Sequence, residues 1–80
     1  MNLQDFIGKF SEQFENTPSS LFNMNTEFKM LDEWSSLSTL SIMAMVDEEY
    51  GVALLGIDFQ RADTIEDLFN IIKEKRSHVL

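Results

Sequence analysis

The feature that most constrains this chain is the run Leu3, Phe6, Ile7, Phe10 and Phe14. Apolar residues three and four apart share one face of a helix, whereas a strand needs every second position. Gln4, Asp5, Lys9, Glu12 and Gln13 fall off that face, and Asn2 is placed to cap its start. The pattern predicts a first helix over residues 3–15. Pro18 biases Thr17 away from helical angles, so Asn16-Thr17-Pro18-Ser19-Ser20 ends it.

The same period recurs twice. Ser35 or Ser36 can cap a second helix running from Leu37 to Tyr50. Its Leu37, Leu40, Met43, Ala44, Val46 and Tyr50 span a wide apolar arc expected to face the core. Ser38, Ser41, Glu48 and Glu49 fall opposite, with Met45 among them, and Gly51 supplies a stop. Thr64 caps a last helix, and Asp67 three residues on completes a box-like arrangement. Ile65, Leu68, Phe69, Ile71 and Ile72 are its buried stripe, and Lys73, Lys75 and Arg76 suit the negative end of its dipole. One short helical turn is expected near 58–62.

Residues 16–35 form a long connection in which Leu21, Phe22, Met24, Phe28, Met30, Leu31 and Trp34 follow no steady period. So many apolar side chains imply that it lies on the core, unlike a flexible linker. Alternation is nowhere sustained, so no strand is expected. The predicted architecture is all-α: a small four-helix bundle, three main helices plus one short helix, forming a single domain over 1–80.

Charge and residue types then exclude classes of function. Fourteen Asp and Glu against six Lys and Arg give a net charge of −8, which repels phosphate backbones and argues against nucleic acid. Its complement is a partner bearing a basic patch. There is no cysteine and one histidine, His78, so no disulfide, thiol nucleophile or metal centre is expected. Gly8, Gly51 and Gly56 are too scattered for a phosphate loop, and Asp47-Glu48-Glu49-Tyr50-Gly51 lacks the alternation of a calcium loop. No paired acid and base can be inferred, so an enzyme is not expected. The chain has no leader-like start and no run near the ~18 apolar residues of a membrane span, so a cytoplasmic monomer without membrane insertion is expected.

The most informative stretch is Leu31-Asp32-Glu33-Trp34-Ser35-Ser36-Leu37, followed by a helix ending Asp47-Glu48-Glu49-Tyr50-Gly51-Val52. With the first helix, the apolar loop holding Thr26 and Phe28, and the Thr64-Ile65-Glu66-Asp67-Leu68 start of the last helix, it resembles the acyl carrier proteins over most of the chain. The resemblance implies a four-helix carrier fold in which Ser36 receives a 4′-phosphopantetheine arm from coenzyme A. A phosphopantetheinyl transferase would install the arm, using Mg²⁺ at its own site. Acyl-loading and acyl-processing enzymes would then dock through basic patches on Leu37, Ser38, Ser41, Met45, Asp47 and Glu48. The chain departs from the family at Ser35, where an aspartate is usual: serine keeps the cap but not the charge. The competing class is an unmodified acidic helical interaction module.

Overall fold

The structure, a computed structural model, describes residues 1–77. Among them the chain forms four α-helices, α1 (Leu3–Ser11), α2 (Ser36–Tyr50), α3 (Gly56–Arg61) and α4 (Ile65–Ser77), and no strand. Short 3₁₀ turns at Ser19–Leu21 and Phe28–Met30 punctuate the long connection. His78 lies outside the described residues. α1 packs against α2 and α4, and α3 packs against α4. The radius of gyration, 11.7 Å, agrees with the about 11.6 Å that compact chains of this length scale to.

Phenylalanine builds the core. All seven are buried, none more than 7% exposed. Phe6 and Phe10 line the inner face of α1, as their spacing requires, Phe14 follows just past its end, and the loop brings its own rings to meet them. Ring centroids lie 5.5 Å apart for Phe10–Phe28, 5.3 Å for Phe14–Phe22 and 5.1 Å for Phe28–Trp34. Burying such rings, with favourable edge contacts between them, anchors the connection to the bundle.

Polar contacts stitch the same connection. The carbonyls of Thr26 and Met24 accept the N–H groups of Ile65 and Glu66 at 3.1 and 3.0 Å, so the loop satisfies donors that the first turn of α4 leaves free. The Glu33 carboxylate accepts N–H groups from Glu15 and Asn16, each at 3.1 Å, and the Thr17 hydroxyl at 2.6 Å. It thereby ties the end of the first helical segment to the approach to α2.

The helix ends explain themselves locally. Asn2 accepts the Asp5 N–H at 3.1 Å. Thr64 and Asp67 exchange hydrogen bonds in both directions, at 3.1 and 3.0 Å. Gly51 ends α2 in the left-handed region at φ 65°, where glycine lacks the Cβ penalty. α1 is shorter than the predicted 3–15: after Ser11 the chain continues in single tight turns, which keep Phe14 buried. α3 is longer than the expected turn near 58–62 and starts at Gly56.

The face of α2 is the main correction. Its buried residues are Ser38, Ile42, Met45 and Val46, while Leu37 and Leu40 are 72% and 61% exposed. Positions 38, 42, 45 and 46 are also one helical stripe, of spacing four, seven and eight. Apolar residues occur on every side of α2, so packing against α1 chooses among possible stripes. Serine is tolerated inside because the Ser38 hydroxyl is satisfied, accepting from Ser35 N–H at 3.3 Å and donating to the Glu33 carbonyl at 3.1 Å.

Candidate functional site at the start of α2

Ser35 is the N-cap of α2, with extended φ and ψ of −155° and 177°, and Ser36 is the first helical residue. The cap is reciprocal: Ser35 Oγ accepts the Ser38 N–H at 3.4 Å while Ser38 Oγ accepts the Ser35 N–H. With Ser35 occupied in this way, Ser36 is exposed, and its hydroxyl makes no hydrogen bond among the described residues. The N–H groups of Ser36 and Leu37 precede the first intrahelical bond, Thr39 N–H to Ser35 carbonyl, and have no acceptor among the described residues. The result is a free hydroxyl beside two free donors at the positive end of a 15-residue helix.

The two acids before the serines play different parts. Thr17's hydrogen bond holds the Glu33 carboxyl below its usual range; burial opposes the shift, and N–H groups of Asn16, Glu15 and Thr17 reinforce it. Glu33 is thus committed to the loop. Asp32 is exposed, with no hydrogen bond or ion pair from its side chain among the described residues. A cleft of about 320 Å³ opens beside Ser35, lined also by Gln13, Glu15, Glu33, Leu37 and Ser41.

The structure divides the residues expected to meet partners. Leu37 stands in solvent next to Ser36, and Asp47 and Glu48 are exposed about 16–18 Å further along the helix axis. Ser41 is half-buried. Ser38 is buried in the cap, and Met45, at 7% exposure, belongs to the core rather than to an apolar anchor on the surface. Leu40, which the sequence pattern assigns to the core, is exposed as well. Its spacing of three from Leu37 was the available signal, since it places both leucines on one side of α2.

Among the described residues no group of acids or histidines is arranged to hold a metal, and no helix is long and apolar enough to cross a membrane. Fold and site together define a small all-helical bundle that presents an uncommitted serine at a helix start. No protein-family model, curated protein or solved structure matches the chain.

Proposed function

We propose that this chain is an acyl carrier protein, with the acyl-carrier type of four-helix bundle, and that Ser36 carries a 4′-phosphopantetheine arm as a phosphodiester. The observation that carries this reading is the uncommitted Ser36 hydroxyl at the first position of α2. A phosphodiester formed there would meet the free N–H groups of Ser36 and Leu37 and the positive end of the helix dipole. The arm's thiol supplies thioester chemistry to a chain that has no cysteine of its own. The chain's own tasks are presentation and docking: exposed Leu37 and Leu40 offer apolar contact, and Asp47 and Glu48 offer charge to basic patches on the transferase and on acyl-processing enzymes. The cargo class is an acyl intermediate of fatty acid, polyketide or specialised lipid synthesis.

A second reading, an unmodified acidic interaction module, is favoured by one observation. Serine stands at position 35, and the neighbouring Glu33 is tied to Thr17. Incubation with coenzyme A, Mg²⁺ and a broad-specificity phosphopantetheinyl transferase decides between the two. The carrier reading expects the intact mass to rise by one phosphopantetheine, and Ser36→Ala to abolish the gain. No gain, either in the natural chain or in Ser35→Asp, overturns it in favour of the interaction module.

A further inference from the structure

A hollow of about 520 Å³ lies on the long connection, lined by Pro18, Leu21, Met30 and Leu31 together with two acidic residues, Asp32 and Glu33. Met30 and Leu21 are 78% and 53% exposed, although neighbouring Phe22 and Phe28 are buried. The connection thus turns some apolar residues inward and leaves others open to solvent. No lysine or arginine lines the hollow. Lys29, adjacent to Met30, is engaged elsewhere, donating to the Phe59 carbonyl at 2.8 Å and lying 4.0 Å from Asp63. The walls are held in place before any ligand arrives, because Glu33 is fixed by Glu15, Asn16 and Thr17, and Thr26 is bonded to Leu21 and Asn23.

We propose that this hollow receives an arginine side chain of a partner protein, with its aliphatic stem on Leu21, Met30 and Pro18 and its guanidinium against Asp32. The chemistry of the lining selects that occupant. A purely apolar side chain would cover the Asp32 carboxylate without pairing it, which is costly. An anion meets two carboxylates on a chain of net charge −8. Arginine satisfies both kinds of wall at once, since its stem buries on apolar surface while its weakly hydrated, planar head pairs with a carboxylate. The surface is distinct from the exposed side of α2, and its use does not depend on modification of Ser36.

The test uses the ¹⁵N-labelled chain titrated with N-acetyl-argininamide at fixed ionic strength, with N-acetyl-citrullinamide as the uncharged counterpart of the same shape. Saturable amide shifts are expected at Asn16, Thr17, Met30 and Asp32, and should be about fivefold weaker or absent with the citrulline probe. Asp32→Asn and Met30→Ser, both at exposed positions, should each weaken binding, whereas Glu74→Gln, exposed on α4, should leave it unchanged. Shifts spread equally over all acidic surfaces, or insensitive to Asp32→Asn and Met30→Ser, overturn the proposal. So does equal binding of the citrulline probe, or shifts at these amides that arise from raising the protein concentration alone, which would assign the hollow to a second copy of the chain.

Discussion

Lys75 Nζ lies 2.6 Å from Asp58 Oδ2, joining α4 to α3 through a carboxylate that is only 2% exposed. The same oxygen accepts the Leu55 N–H at 2.7 Å, and Lys75 also donates to the Ala53 carbonyl at 3.2 Å. One buried acid therefore caps α3, and through its lysine pins the strand-free segment before it. Asp58→Asn should cost about 3 kcal/mol at neutral pH, the low end for breaking a buried pair, because the Lys75 side chain keeps 29% exposure. Urea unfolding of the two single variants and of Asp58→Asn with Lys75→Met checks this, since the double variant should recover part of the loss.

The same pair gives a pH dependence. Burial pushes the Asp58 carboxyl up, but Lys75, the Leu55 N–H and Arg61 outweigh it and hold the group below its ordinary range. A depressed folded pKa contributes stability that is fully present above the unfolded value, about 3.9, and is lost as pH falls through the lower folded value. Melting temperatures measured from pH 6 downwards should therefore fall more steeply for the natural chain than for Asp58→Asn once pH drops below about 4.

Ser35 and Ser36 should separate cleanly under substitution. Ser35→Ala removes the cap of α2 and should cost roughly 0.5–2 kcal/mol while leaving Ser36 modifiable. Ser36→Ala should change stability little and prevent attachment of the arm. Ser35→Asp keeps a capping oxygen, adds charge at the positive helix end and should speed transfer. Peptide mapping that finds the arm on Ser35 would contradict the assignment.

Burial reverses the roles first expected along α2. Met45→Ala should destabilise the fold by about 2–5 kcal/mol through a lost core contact, whereas Leu40→Ala should stay within about 0.5 kcal/mol. In kinetics with one purified partner, Leu40→Ala should nevertheless slow docking. Equal effects of the two substitutions on stability would show that α2 presents a different face in solution.

Tyr50, whose ring centroid lies 5.9 Å from that of Phe6, carries a buried hydroxyl with no hydrogen-bond partner among the described residues. Burial, with Asp5 and Glu49 nearby, raises the pKa of this phenol, partly offset by Arg76. Removing an unsatisfied buried oxygen while keeping the ring should help the fold. Tyr50→Phe is expected to raise the melting temperature; a fall would reveal a water or side chain that satisfies the hydroxyl in solution.

Much of this architecture is legible locally, because its signals are local. Phe6, Ile7 and Phe10 announce the core face of α1, and Thr64 with Asp67 announces the start of α4 within four residues. What escapes is decided by distant contacts. α2 has apolar residues all round, so only packing selects the Ser38–Ile42–Met45–Val46 stripe and turns Leu37 and Leu40 outward. The Asp58–Lys75 pair spans 17 positions with no periodic relation, and Glu33 reaches back across as many to Asn16. The serine pair is visible in the sequence, whereas the division between a capping Ser35 and an uncommitted Ser36 needed the backbone.

The bonds from Thr26 and Met24 to Ile65 and Glu66 also set an order of events during synthesis. As the chain emerges, the connection leaves the ribosome about 40 residues before the amides that its carbonyls must meet. Closing so long a loop carries an entropic cost that local helix formation does not bear. α1 and α2 can therefore begin to coil early, while the Met24 to Thr26 stretch of the connection must wait for Ile65 and Glu66. A nascent chain stalled before residue 65 could hold α2 and its serine pair but not the two backbone bonds that fix the connection to α4.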